Sequence, residues 1–301
     1  EQASRELGLF PGTRVYGGGG DATLIGVGAG CTAVGSTHIY SGTSGWVGTV
    51  MDHQAVDLSA MIAGIVGAEK GKYNYFAEME TAGKCFEWVK DHLVLDEVNI
   101  YLSKTDVAES QESVYESLYD YMSDTVAQVA PGSGGVIFTP WLHGNRCPFE
   151  DPAAAGIFFN IQLETGKAQM LRAVLEGICF HQRWMLECEE RKTKTVPVIR
   201  FVGGGALSKV TCQMLADITG RTVETVENTK DVGAIGAAML AAVGSGLFPD
   251  LAQAASHVKV NGRYEPNAAL KPVYDRNYRV FRQLHASNKK NFALLNRLKE
   301  G

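Results

Sequence analysis

The sequence predicts an α/β layered domain, on three observations. Short runs rich in Val, Ile and Phe alternate along the chain with longer segments whose apolar residues recur at helical spacing. Glycine-rich turns, Gly17-Gly18-Gly19-Gly20, Ser41-Gly42-Thr43-Ser44-Gly45 and Gly203-Gly204-Gly205, stand where such segments meet. The composition is that of a globular chain with ample core: 45% of 301 residues are hydrophobic and 20% charged, enough for one large domain or two smaller ones.

The elements read as follows. Residues 13–16 form a short strand entering the glycine run, and 22–29 a small-residue, tightly packed helix. Residues 35–40 and 46–51 are two strands around the Ser41–Gly45 turn, a hairpin signal. Residues 58–66 and 82–95 read as helices. Residues 110–129 carry Val114, Leu118, Tyr121 and Val126 at helical spacing, with acids on the other face. Pro131 and the glycines after it break that helix. A buried strand follows over 136–139, then a loop over 140–152. Residues 167–190 are a long helix with Leu171, Val174, Leu175, Ile178, Cys179 and Met185 on its apolar side. Strands over 196–202 and 221–226 flank a helix over 208–218. An alanine-rich helix over 231–243 suits close packing. A long amphipathic helix over 273–298 fills the terminal stretch 272–301. No internal repeat and no low-complexity tract is evident.

Several function classes are disfavoured. Net charge is -5, and no basic run is long enough to follow a phosphate backbone, so no nucleic-acid partner is expected. Gly, Asp or Lys interrupts the longest apolar stretches, so no membrane span is expected. No signal-peptide pattern opens the chain. It begins at Glu1, which leads us to expect a fragment or a chain taken from its middle. The six cysteines include no C-x-x-C pair and sit mostly among apolar neighbours, as reduced core thiols of a cytoplasmic protein do. His143 and Cys147 lie four apart, but no two further ligands are spaced to complete a metal site.

Familiar nucleotide motifs are absent. Gly83-Lys84-Cys85, Gly166-Lys167-Ala168 and Gly71-Lys72-Tyr73 all fail the last position of a P-loop. Gly26, Gly28 and Gly30 make a poor dinucleotide fingerprint, and the protein-kinase set is missing. The strongest local signal is a strand ending in Gly203, Gly204 and Gly205, with a helix starting near Ser208. Glycines let backbone approach a ligand, and a helix start offers N–H groups to a phosphate or purine edge. The same residues also suit a tight turn with no ligand. Ser41 to Gly45 pairs hydroxyls with bare backbone, as anion nests do, and equally suits a plain hairpin. Asp21 reads two ways: as a helix N-cap, or as a general base that takes a proton from an attacking hydroxyl.

Five motifs in one order carry a resemblance. They are Gly17 to Ala29; Ser41-Gly42-Thr43-Ser44-Gly45; Gly144-Asn145-Arg146-Cys147-Pro148; Arg172-Ala173-Val174-Leu175-Glu176-Gly177; and Gly203-Gly204-Gly205-Ala206 through Ala234-Ile235-Gly236-Ala237-Ala238. Together they resemble the C-terminal half of an FGGY-family carbohydrate kinase, xylulokinase-like, over nearly the whole chain. The resemblance implies an actin-like ATPase (ribonuclease H-like) domain, a mixed sheet flanked by helices, spanning 1–301. It also implies an N-terminal, mainly sugar-binding domain that this sequence lacks. By position Asp21 matches the catalytic base, and Gly42 and Thr43 the turn near the transferred phosphate. Gly203, Gly204, Gly205 and Ser208 match the adenosine motif, with Gln213 on the helix behind, and Gly156 a glycine that approaches the nucleotide.

The departures fall more on the sugar side. Ala22 stands where the family usually has Asn or Gln after the Asp, Ala155 where it has Arg, and Asn160-Ile161-Gln162 where it has Gly-Leu-Thr. The implied activity is ATP-dependent phosphorylation of a sugar or polyol, with Mg2+ riding on the phosphates; a homodimer is left open. Two other classes stand beside it: a non-catalytic nucleotide-binding regulatory protein of the same fold, and an actin- or Hsp70-like ATPase.

Overall fold

Side chains that alternate across the strands give one mixed sheet two apolar faces, and helices cover both. The structure is a computed structural model that describes residues 1–94 and 117–296. In chain order the elements are α1 (Gln2–Glu6), α2 (Asp21–Gly28), β1 (Thr37–Ser41), β2 (Gly45–Met51), β3 (Val56–Asp57), β4 (Ile62–Val66), β5 (Tyr73–Met79) and α3 (Gly83–Val89), the last continued by a π-helical turn. Then come α4 (Leu118–Ala127), β6 (Ile137–Phe138), β7 (Phe158–Phe159), α5 (Lys167–Glu189), β8 (Val198–Val202), α6 (Lys209–Thr219), β9 (Thr222–Val226), α7 (Val232–Ser245), α8 (Leu251–Ala255), β10 (Val260–Tyr264) and α9 (Lys271–Asn296).

The main sheet has the order β10-β9-β8-β1-β2-β5-β4-β3. Strands β1, β2, β5, β4 and β3 pair antiparallel in series. Strand β8 lies parallel to β1, and β9 parallel to β8. Helix α6 makes the crossover from β8 to β9, the connection that parallel neighbours require.

Ile39, Val47, Ala77 and Phe201 enter a large core shared with Val174 and Ile178 of α5, Leu215 of α6 and Phe281 of α9. One residue along each strand, Tyr40, Trp46, Phe76 and Val202 join the opposite cluster, with Ala22, Ile25 and Val232. On that face α2 and α7 cross backbone to backbone. A Cβ on Gly28 would stand 1.8 Å from the Val232 carbonyl oxygen, and one on Gly236 would stand 2.0 Å from that of Leu24. The small residues of both helices permit this approach.

The hairpin, the small-residue helix, the long helix and the alternation over residues 198–245 fall where expected. Three expectations need correction or completion. Residues 58–66 are a turn and strand β4, not a helix. The Asp57 carboxylate accepts from the N–H groups of Ser59 and Ala60 at 3.0 and 3.2 Å, and Met61 has φ 56°, so the chain reverses and joins β5. Residues 13–16 are irregular: Val15 is 89% exposed, and no strand runs beside it among the described residues. Strands β3, β5, β7 and β10 were not anticipated. Positions 95, 110–116, 297 and 298 of the expected helices lie outside the described residues. Among the described residues no helix is long and apolar enough to cross a membrane.

Candidate functional site

Parallel pairing brings two of the glycine turns together. Tyr40 of β1 lies opposite Val202 of β8, so Ser41 and Gly203 leave the sheet side by side. Gly203 has φ 92° and ψ -173°, backbone open essentially to glycine alone. A Cβ there would stand 2.7 Å from the Ser41 carbonyl oxygen and 2.9 Å from the Tyr40 ring. A Cβ on Gly205 would stand 2.9 Å from the Ser41 side chain. Gly204, between them, is exposed, and a Cβ on it would have only the Ser41 oxygen, at 4.0 Å. The strain in this turn therefore belongs to Gly203, and the open surface to Gly204.

Beyond the glycines, Gly204–Leu207 form a 3-10 turn and Ser208 caps α6, its Oγ accepting from the Thr211 N–H at 3.3 Å. The Gly203 N–H donates to the Thr229 carbonyl at 3.1 Å, which ties this turn to the loop after β9.

The hairpin tip is fixed from the other side. The Gly42 carbonyl accepts from the Gly83 N–H at 2.8 Å, and the Thr43 carbonyl from the N–H groups of Ala82 and Lys84 at 3.0 and 3.2 Å. The first amides of α3 are thus spent on holding the tip, and Thr43 is left exposed. Beneath it Tyr40 stacks on Trp46, with ring centroids 4.0 Å apart. Met79 of β5 pairs with Gly45, so β5 ends at the same edge. There Thr81 Oγ1–H donates to the Pro140 carbonyl at 2.6 Å and brings in the loop that leads to Gly156. Gly156 itself is exposed, its Cβ position 2.6 Å from the Leu142 side chain.

Asp21 is the first residue of α2. The N-cap is Gly20, with extended backbone, so the capping role foreseen for Asp21 is displaced by one residue. Its carboxylate is exposed and accepts from the Ala22 N–H at 2.9 Å. A carboxylate in a first helical turn also opposes the helix dipole favourably. Ala22 belongs to the same buried cluster as Trp46, against which Tyr40 packs, so the start of α2 and the hairpin share one packing unit. Gln213 is engaged elsewhere: its Nε2–H donates to Asp217 Oδ1 at 2.9 Å and to the Glu265 carbonyl at 2.8 Å, stapling α6 to the segment after β10.

Sequence reasoning overlooked His38 and Asn74, both buried beneath α2. Burial lowers the His38 pKa to about 4, against the opposing pull of the Gly48 and Ala22 carbonyls, so the ring is neutral at ordinary pH. The available signal was Gly26 in mid-helix and Gly48 in mid-strand, since isolated glycines within elements mark close approach. Cys31, on the same face, is pushed up to about 12 by burial and is a packed thiol rather than a nucleophile. All six cysteines are unpaired and buried, as expected of core thiols.

The assembled edge is thus lined by backbone, hydroxyls and glycine surface, with one exposed carboxylate at the head of the adjoining helix. The chain is 26% identical over 285 residues to a xylulose kinase of Bacillus subtilis, covering 94% of this chain and 53% of that protein. It is 28% identical over 285 residues to a probable L-xylulose kinase of Pasteurella multocida, covering 94% and 52%. The ligand-bound xylulose kinase from Lactobacillus acidophilus superposes with a TM-score of 0.84 at 24% identity, over 97% of this chain and 55% of that one; this likeness establishes the actin-like fold. The chain spans about half the length of the curated relatives it matches. The family model described as "FGGY family of carbohydrate kinases, C-terminal domain" matches residues 38–245, which take in the hairpin, the glycine turn and α7. The chain belongs to the FGGY family of carbohydrate kinases, matching its C-terminal domain.

Proposed function

We propose that this chain is the nucleotide-binding half of an ATP-dependent kinase for a sugar or polyol hydroxyl. One observation carries the reading: two backbone-lined turns meet at the ends of β1 and β8, and the Asp21 carboxylate heads the helix packed beside them. The xylulose kinases among its relatives make a ketopentose the first acceptor to try.

The residues suit a nucleotide. Gly204 offers bare backbone with open space above it, so Gly203, Gly204, Gly205 and Ser208 would hold the nucleoside side. Gly42 and Thr43 would hold the terminal phosphate, and Gly156 would line the approach. Gln213 would act indirectly, by fixing α6. Among the described residues no group of three or more His, Cys, Asp or Glu is placed to hold a metal. Mg2+ would ride on phosphates and waters, with few protein ligands; bound there it would offset phosphate charge. A reducing compartment such as the cytoplasm suits the six free thiols.

Asp21 accepts the proton of the attacking hydroxyl, and its exposure leaves it reachable by a substrate. The Thr43 hydroxyl and the hairpin amides donate to phosphoryl oxygens as charge spreads over them. Their worth depends on rigidity, which the three carbonyl-to-amide bonds to α3 supply. Most sugar contacts would come from an N-terminal half of the kind that completes the relatives' length. The test is calorimetric titration of ADP into the 301-residue chain, then sugar-dependent ADP release with ketopentoses, polyols and sugar acids once such a half is joined to it. Binding of ADP without any acceptor-dependent turnover by the joined enzyme would refute the kinase reading.

A further inference from the structure

We infer that Asn74 and His38 are positioning residues for Asp21, gripping from beneath the peptide that follows it. The inference rests on reading Asp21 as the base, and its test separates the two.

Ala22 is held at both of its polar groups. Its N–H donates to Asp21 Oδ1 at 2.9 Å, and its carbonyl accepts from Asn74 Nδ2–H at 3.4 Å. Any shift of this residue therefore moves the carboxylate bonded to it. Asn74 sits on β5 and is 5% exposed; His38 sits on β1 and is 1% exposed. The His38 Nε2 accepts from Trp46 Nε1–H at 3.1 Å, so in the neutral ring the proton resides on Nδ1. That Nδ1 lies 3.1 Å from where a Cβ on Gly26 would stand, facing α2. The Asn74 Oδ1 and the His38 Cε1 lie 2.7 and 2.6 Å from the Cβ position of Gly48, so both side chains converge over that one glycine. Among the described residues neither His38 Nδ1 nor Asn74 Oδ1 has a protein hydrogen-bond partner. A cavity of about 30 Å³ lined by Thr23, Gly26, His38 and Asn74 adjoins them, room for a bridging water.

A second tie acts at the next residue, where Thr23 Oγ1–H donates to the Val66 carbonyl at 3.1 Å. The first turn of α2 is thus fastened to β4 and β5 by polar contacts, while its far end is fixed by backbone contact with α7. A buried amide such as that of Asn74 favours the arrangement in which its Nδ2–H is satisfied, here by the Ala22 carbonyl. Two glycines within regular elements, Gly26 and Gly48, leave the room that the imidazole occupies.

The test has two readouts on Asn74→Ala and on the pair His38→Leu and His38→Gln. The first is hydrogen exchange of the amides over residues 22–26 in the 301-residue chain. Asn74→Ala and His38→Leu should exchange roughly tenfold faster there, with exchange in α5 unchanged; His38→Gln, which keeps a donor, should restore protection. The second is steady-state kinetics of the same variants with the N-terminal half joined. There kcat should fall by about 10–100-fold, the scale of an ångström's misplacement, with KM for the nucleotide unchanged. Unaltered exchange at residues 22–26 in folded Asn74→Ala and His38→Leu overturns the positioning role. Faster exchange with unaltered kcat keeps the grip and overturns Asp21 as the base.

Discussion

Adjacent glycines of one turn should respond oppositely to a single methyl group. Gly203 combines φ 92° and ψ -173° with a Cβ position 2.7 Å from a backbone oxygen. Backbone of that kind costs a non-glycine residue about 1–3 kcal/mol. Forcing a methyl against the Ser41 carbonyl adds about 1–3 kcal/mol, because the obstacle is main chain and cannot rotate away. Gly203→Ala should therefore lose about 2–6 kcal/mol, a large part of the total stability of an ordinary domain. At Gly204 the same methyl meets nothing closer than 4.0 Å, so Gly204→Ala should stay within about 0.5 kcal/mol of wild type. Urea unfolding followed by circular dichroism gives both values. The functional half of the prediction uses Gly204→Val. Its branched side chain stands in the open space assigned to the nucleotide, so the variant should fold normally and bind ADP at least about tenfold more weakly, a loss of about 1.4 kcal/mol. Equal stabilities for Gly203→Ala and Gly204→Ala would refute the packing argument. Unchanged ADP affinity in folded Gly204→Val would reduce the segment to a simple turn.

With an N-terminal half joined, Asp21→Asn should lower sugar phosphorylation by roughly 10²–10⁴-fold while ADP affinity stays constant, measured by coupled assay and calorimetry; near-normal turnover would return Asp21 to a helix-dipole role. Gly236→Ala should destabilise the protein although alanine is the better helix former by about 1 kcal/mol, because the methyl would stand 2.0 Å from the Leu24 oxygen; a raised melting temperature would contradict the crossing. His181 is buried, and burial lowers its pKa to about 4 from 6.5. Between these values the unfolded chain takes up a proton that the folded one refuses, so stability falls as pH drops from 6.5 toward 4, by at most about 1.4 kcal/mol per unit. Glu176 and Glu189 act in the opposite sense, since burial raises both. The measurement is therefore the difference in slope between wild type and His181→Gln, and equal slopes would refute it.

Much of this organisation was legible in the residues. The hairpin around Ser41–Gly45 and the strand-to-helix turn at Gly203 are local devices, specified by turn residues within a few positions. The long helix α5 announces itself by periodicity. What escaped depended on partners distant in sequence. Residues 58–66 carry enough apolar residues for a helix, and only the Asp57 carboxylate and the β5 neighbour make them a turn and strand. Residues 13–16 look like a strand and have no strand beside them in the described chain. At the site, the two glycine turns were readable as types, but their meeting was not, because it comes from the parallel pairing of Tyr40 with Val202, over 160 positions apart. The bond from Asn74 to the Ala22 carbonyl, and the place of His38 against Gly26, were hidden for the same reason.

The crossing of α2 and α7 bears on how this domain varies among its relatives. Residue pairs in contact usually leave a trace of compensation, with a larger side chain at one position matched by a smaller one at the other. Gly28 and Gly236 cannot trade in that way. Each faces main chain of the opposite helix, the Val232 oxygen and the Leu24 oxygen, and neither has a side chain left to shrink. A substitution at one is beyond repair by any at the other. The pair should be invariant yet uncorrelated, a contact invisible to covariation, and a lineage that loses either glycine should show the two helices moved apart as bodies.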